Sequence, residues 1–441
     1  MGHCKGLSFE ACEELVLENA VKAIEQKQGA ELMGEKDTKL MLKLAEDFLR
    51  KHKCVMYGGT AINNILPKAL QFYDYRYELP DYDAYTPDAL KLIKALADIY
   101  LRHFDDVEAK TGVHHNTFKL FVNQNPIVDL SYMHPDLFKR ISAEATTVDG
   151  IKYAPVNFLR MGMYLELSHP NGDVSRWAKV YKRLLLLNQA FPFGRSRCAR
   201  STVKIPEEIY RRTHQTLVAD DVVFIGGYAN KMYLGGANIE NVTEFDVIST
   251  DPLKTCSRLI EALQDHHPKL ETHDAIGSLI EPHYSISVNG HYLLFVFSPV
   301  ACHSYNRVVD QKGNSVKIGT IDTLFSFYLT FLYANRPYFD ERRILCLCQA
   351  LFGIQQRHRL TRKKELQRFT MDCYGKQQTL GDMRAEKKNM YASLDRDSHE
   401  FEEWFLQYPP RGKTPKKPAT KRKSPFKKNK SQRPSTTTRP K

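Results

Sequence analysis

The sequence predicts an α/β (α+β) protein built from two tandem domains, each a mixed sheet flanked by helices, the second a degenerate copy of the first. Three observations predict this. Short apolar runs of strand character alternate with stretches of helical periodicity along most of the chain. Its 441 residues exceed what one hydrophobic core usually serves. The chain also aligns with itself at two separated motifs in the same order: Cys54 to Asn63 matches Val223 to Asn230, and Pro80 to Lys91 matches Thr243 to Lys254. The expected organisation is N-terminal helices over 1–52, a first domain over 53–190, its copy over 200–355, a C-terminal helical region over 356–408 and a basic tail over 409–441.

In order, Ser8 to Gln28 and Asp37 to Lys51 read as amphipathic helices, the second apolar at Leu40, Leu42, Leu44, Ala45, Phe48 and Leu49. Cys54 to Tyr57 is a short strand, Gly58-Gly59-Thr60 turns the chain, and Ala61 to Leu66 has helical spacing up to Pro67. The polar and aromatic loop from Gln71 to Leu79 either covers a site or merely connects. Pro80 to Tyr85 reads as a strand, and Thr86-Pro87-Asp88 as an N-cap with Pro at N1 opening a helix to about His103. Thr117 to Val122 alternates as a strand, Asn123 to Pro126 turns, and Ile127 to Tyr132 returns. Two helical runs between Arg160 and Asn188 flank the loop Ser168 to Asp173 and close the domain.

In the second copy Asp246 stands where Asp83 does and Glu244 where Asp81 does, but the later strand, Leu293 to Phe297, carries no acid. A copy that keeps its fold without this ligand suits a scaffold or RNA-binding half. Thr320 to Ala334 and Phe339 to Ile354 are apolar helical runs, and Asp395 to Tyr408 reads as a last acidic and aromatic helix. The formal net charge of +13 is confined to the tail: thirteen Lys or Arg and no acid follow Pro409, leaving 51 against 51 elsewhere. That composition cannot bury a core and is expected to be disordered. The basic run Arg357 to Lys364 either holds a phosphate backbone or is a solvated face. Nine cysteines without CxxC pairs predict free thiols in a reduced, intracellular compartment. Apolar runs fall short of about 18 residues, so no membrane partner is expected.

The chemistry concentrates at the glycine turn and three acids. A turn without Cβ atoms admits a phosphate to the backbone, and the helix that follows offers free N–H groups to an anion. Asp81 and Asp83, two apart on a strand, project from one face, and Asp129 is an acid inside an otherwise apolar strand, where burial without a partner or metal is costly. Three convergent carboxylates suit hard divalent cations, and a pair of such ions can serve in-line phosphoryl displacement. Arg176, Lys179 and Arg183 share a helical face: they either meet a triphosphate or form a solvated face over the Trp177, Val180, Tyr181 and Leu184 stripe. Thr60 either caps its helix or contacts phosphate. The pairs His114-His115 and His266-His267 have no second ligand cluster in the sequence and are assigned no metal.

Tyr57 to Ile62, Pro80 to Asp83 and Asp129 to Met133 resemble the nucleotidyltransferase signature of poly(A) polymerase catalytic subunits from large cytoplasmic DNA viruses, the poxvirus and asfarvirus type. Gly172 to Trp177 and the tandem second copy add to the resemblance, which spans about Lys53 to Leu351 and is most specific in the first half. It implies two polymerase-β-like nucleotidyltransferase domains, with template-independent transfer of AMP from ATP to the 3' end of RNA, as in mRNA polyadenylation. One Mg2+ or Mn2+ ion held by Asp81, Asp83 and Asp129 would activate the RNA 3' hydroxyl, and a second, held mainly by Asp81 and Asp83, would orient the triphosphate. Gly58, Gly59 and Thr60 would cradle phosphates, with Arg176, Lys179 and Arg183 as further cations. The implied partners are a single-stranded RNA 3' end, ATP, and either a second copy of the chain or a viral processivity subunit. The implied location is host cytoplasm, in a viral factory, or the virion. Two features depart from the family: the interval from Gly59 to Asp81 is longer than the superfamily minimum, and only two helices precede Val55 where poxvirus members carry a sizeable domain. Base choice is not legible, so a terminal uridylyl or CCA-adding transferase stays open, as does a non-catalytic RNA-binding scaffold, against which the intact aspartates argue.

Overall fold

The computed structural model describes residues 4–194, 205–234, 244–275, 279–310, 313–334, 338–358 and 367–409. The tail from 410 onward and the side chains of the 357–364 basic run lie outside the described residues. Ser8 caps α1 (Phe9–Gly34), accepting from the Ala11 N–H at 3.2 Å. α2 (Lys36–His52) buries Met41, Ala45, Phe48 and Leu49 along one face. β1 (Val55–Met56) leads into α3 (Gly58–Ile65), and an extended insert follows before β2 (Tyr82–Thr86).

Helix α4 (Ala89–Tyr100) starts three residues after the expected cap, because Thr86 remains in β2 opposite Tyr132 and its hydroxyl accepts from the Asp88 N–H at 3.3 Å. Strands β3 (Val107–Thr111), β4 (Thr117–Val122) and β5 (Asn125–Tyr132) form an antiparallel meander. Asn123 and Gln124 turn β4 into β5 with positive φ at both positions, the conformation whose twist matches a two-residue hairpin. α5 (Pro135–Ala143), the hairpin β6 (Thr146–Val148) and β7 (Ile151–Tyr153), then α6 (Val156–Leu167) and α7 (Trp177–Ala190) complete this half.

The second half repeats the plan with α8 (Glu207–Ala219), β8 (Val223–Ile225), α9 (Gly226–Leu234), β9 (Phe245–Ile248), α10 (Pro252–Ala262), β10 (Lys269–His273), β11 (His283–Val288), β12 (His291–Phe297), β13 (His303–Val309), β14 (Ser315–Gly319), α11 (Ile321–Ala334) and α12 (Glu341–His358). The first sheet runs β3-β4-β5-β2-β1-β7-β6 and the second β10-β11-β12-β9-β8-β14-β13. Every neighbouring pair also agrees in direction: β2 with β5 and β9 with β12 are parallel, as are β1 with β7 and β8 with β14, and the other pairs are antiparallel. The repeat seen in sequence is thus a strand-for-strand duplication. α11 is buried along its whole length because it packs on its own sheet and on α6 of the first half. Tyr164 stacks on Phe325 at 4.4 Å and Phe158 meets Tyr333 edge-on at 5.3 Å.

The C-terminal region differs from an all-helical expectation. β15 (Cys373–Tyr374) adds to the edge of β13; α13 (Leu380–Ser393) and α14 (His399–Phe405) follow; and β16 (Gln407–Tyr408) adds to the edge of β3. The expected 395–408 helix therefore stops at Phe405, since the open edge of β3 offers Gln407 and Tyr408 a ladder. Tyr408 also donates to Asp98 at 2.5 Å. The expectation of free thiols is corrected at five of the described cysteines: Cys4 pairs with Cys12, Cys302 with Cys373, and Cys346 is disulfide-bonded as well. The second pair joins residues 71 apart that the β13–β15 ladder brings together. Among the described residues no helix is long and apolar enough to cross a membrane.

Candidate active site

β2 and β5 run parallel with Asp83 directly opposite Asp129, so both side chains leave the same face of the sheet. Asp81 lies just before β2, and its backbone N–H donates to Thr60 Oγ1 at 3.2 Å. Thr60 is 1% exposed. Thr60 is buried in α3, and its hydroxyl fixes the loop that carries Asp81. Gly58 has φ +73°, and a Cβ there would stand 2.6 Å from Asp83 Oδ2. The sequence needs glycine at this point because the first turn of α3 presses against the carboxylate. Tyr57, just before it, donates its N–H to the Asp83 carbonyl at 2.9 Å and ties β1 to β2.

Burial raises the Asp83 carboxyl to about 7, helped by the negative charges of Asp81 and Asp129 and opposed by Lys119 and Arg176. Burial raises Asp129 as well, against the pull of Lys119. Lys119 lies on β4 directly opposite Asp129 and its ammonium pairs with Asp129 Oδ2. Sequence reasoning missed this lysine. The donor chemistry, Asp83 and Asp129 on one face with the Asp81 charge beside them and two of the anions destabilised by burial, fits hard divalent cations. Elsewhere, Glu208, Asp265 and His266 have ligand atoms within 4.8 Å of one another. In that exposed cluster Arg212 already bridges both acids, at 2.8 Å to Asp265 and 3.6 Å to Glu208.

Arg176, Lys179 and Arg183 reach this site from the N-terminal turns of α7. Arg176 pairs with Glu166 at 3.2 Å and its charge bears on Asp83. Lys179 is lowered by burial and by Arg183 and Arg176, with Asp81 opposing. Arg183 donates to the Tyr73 hydroxyl. A Cβ on Gly59 would stand 2.9 Å from Arg183 Nη1, so the guanidinium lies against the first turn of α3. The structure therefore brings Gly58, Gly59, Arg176, Lys179, Arg183 and the three aspartates into one neighbourhood.

The second copy shows what is lost. Ile225 pairs with Asp246 across β8 and β9, and Gly226 has φ +72° against the Asp246 carboxylate, as Gly58 does against Asp83. Phe295 stands opposite Asp246, in the place of Asp129, and Ser285 stands opposite Phe295, in the place of Lys119. Arg343 pairs with Glu244 instead. The remaining cavity, lined by Asp246, Phe295, Tyr328 and Arg343 among others, is about 40 Å³, room for a water or two and far below a nucleotide.

Residues 43–173 match the family model of the poly(A) polymerase catalytic subunit. The first half of the chain resembles these viral subunits. A provisionally assigned poly(A) polymerase catalytic subunit of Acanthamoeba polyphaga mimivirus is 27% identical over 360 residues, 70% of this chain and 60% of that protein. One of African swine fever virus is 30% identical over 159 residues, 34% of this chain and 33% of that protein. The chain thus spans 60% or less of the length of these relatives. The crystal structure of the Megavirus polyadenylate synthase shares the fold, with a TM-score of 0.75 at 16% identity, covering 87% of this chain and 84% of that one.

Proposed function

We propose that the protein is a poly(A) polymerase, adding AMP from ATP to RNA 3' ends without a template, and that the domain over 53–190 performs the reaction while the domain over 200–355 is a catalytically inert scaffold. The carrying observation is the lateral register of Asp83 with Asp129 beside the Gly58 turn, present in the first copy and replaced by Asp246 with Phe295 in the second. Asp81, Asp83 and Asp129 would hold Mg2+ or Mn2+. Such ions, when bound, supply charge stabilisation at the transferring phosphoryl group and acidify the attacking hydroxyl. The chain's own groups do the rest. The first-turn N–H groups of α3, cleared of side chains at Gly58 and Gly59, receive phosphate oxygens. Arg176, Lys179 and Arg183 draw in the triphosphate and neutralise charge as pyrophosphate departs. Thr60 positions Asp81 through its backbone.

The viral origin of the relatives supports action in a viral factory in host cytoplasm or in the virion, on single-stranded RNA, with a second copy of the chain or a viral processivity subunit as partner. The test is extension of a labelled RNA primer with ATP, CTP, GTP or UTP in turn. Long products with ATP alone, lost in Asp81→Ala/Asp83→Ala, are expected. Preferred use of UTP, or CCA addition alone, would replace the adenylyl assignment with another transferase; no extension together with no ATP binding would leave a scaffold.

A further inference from the structure

The insert between the glycine turn and the aspartates is the sequence feature that the proposed reaction leaves without a role. It is pinned from both sides. Asn63, fully buried in α3, accepts the backbone N–H groups of Phe72 at 2.8 Å and Tyr73 at 2.9 Å. Asn64 accepts from the Tyr75 hydroxyl at 2.9 Å and donates to Tyr153 at 3.0 Å. From outside, α1 meets the insert at Gly29, its one buried residue, where any Cβ would overlap the Tyr77 carbonyl.

What the insert carries inward is an aromatic bracket for one cation. The Tyr73 hydroxyl accepts from Arg183, and the guanidinium carbon lies 5.0 Å from the Phe72 ring centre and 5.4 Å from that of Tyr73. Gly59 makes room for this arrangement, since a Cβ there would stand 2.6 Å from the Tyr73 hydroxyl. An arginine at the end of a long side chain loses rotamer freedom when it grips a phosphate; one already clamped has lost it beforehand.

The geometry points to the insert as a fixed wall of the triphosphate site rather than a lid, with Tyr73 a positioning residue that holds Arg183 against the N-terminus of α3. This rests on the nucleotidyltransferase reading and deepens it. The recognised chemistry is the polyphosphate, so the effect should not depend on the base.

Equilibrium binding of Mg-ATP and of inorganic tripolyphosphate tests it in the full chain. Tyr73→Phe keeps the ring and removes the hydroxyl. It should weaken binding of both probes about three- to tenfold and lower kcat/KM for ATP, leaving RNA affinity and melting temperature unchanged. In an Arg183→Gln background Tyr73→Phe should add no further loss, the non-additivity expected of a residue that acts through another. Unchanged affinity in Tyr73→Phe, or a full additive loss in the double variant, would overturn the assignment. Wild-type enzyme that binds Mg-ATP with this coupling but extends no RNA would instead sink the polymerase reading, so the two failures are separate results.

Discussion

Asp83 gives the account its sharpest thermodynamic consequence. Its ordinary value is 3.8 and the fold raises it to about 7. Between these values the folded protein keeps a proton that the unfolded chain has released, so without metal the folded state loses stability as pH rises from about 4 to about 7. A shift of about three units at 1.36 kcal/mol each corresponds to about 4 kcal/mol, or about 10 °C in melting temperature for a domain of this size. Asp83→Asn removes the charge without changing the shape. In EDTA the variant should melt about 10 °C above wild type at pH 8 and only about 4 °C above it at pH 5, where less than half of the penalty has accrued. Magnesium at pH 8 should then stabilise wild type and leave the variant unmoved. A variant-to-wild-type difference that is the same at both pH values, or a variant less stable at pH 8, would refute the reasoning.

Further outcomes follow from other contacts. Lys119→Met should tighten Mn2+ binding about tenfold in a titration, because the ammonium and the ion compete for Asp129 Oδ2; weaker binding would contradict that competition. Gly58→Ala should abolish ATP binding and lower stability by about 1–2 kcal/mol, since it pairs a positive φ with a Cβ 2.6 Å from Asp83; retained binding would count against the close approach. Asp322→Asn should cost about 3–5 kcal/mol in chemical unfolding, because Asp322 is fully buried and its loss strands Arg368, which it holds at 2.7 Å; a cost below 1 kcal/mol would show that the pair adds little.

The duplication and the three aspartates were legible because they live in local patterns: a glycine turn after an apolar run, the Asp-Tyr-Asp pattern between Pro80 and Tyr85, and an acid inside an apolar strand. Lys119 was not, for a definable reason. Counting back from the two-residue turn sets Lys119 against Val128, but a bulge between Leu120 and Phe121 shifts the ladder by one residue and puts it opposite Asp129. Arg343 and the cysteine pairing of residues 302 and 373 were hidden by distance along the chain. The insert was readable as a loop, but its bracket around Arg183 depends on α3, α7 and α1 meeting, which no local signal carries. Thr60 was legible as part of the glycine turn, but the bond that its buried hydroxyl accepts from the Asp81 backbone was not.

The central claim is that one copy of the duplicated domain reacts and the other does not. Primer extension with ATP by Asp83→Asn and by Asp246→Asn, the same substitution at equivalent places in the two halves, tests it most directly. The account predicts no product from Asp83→Asn and wild-type lengths from Asp246→Asn; extension by Asp83→Asn, or its loss in a folded Asp246→Asn protein, would contradict it.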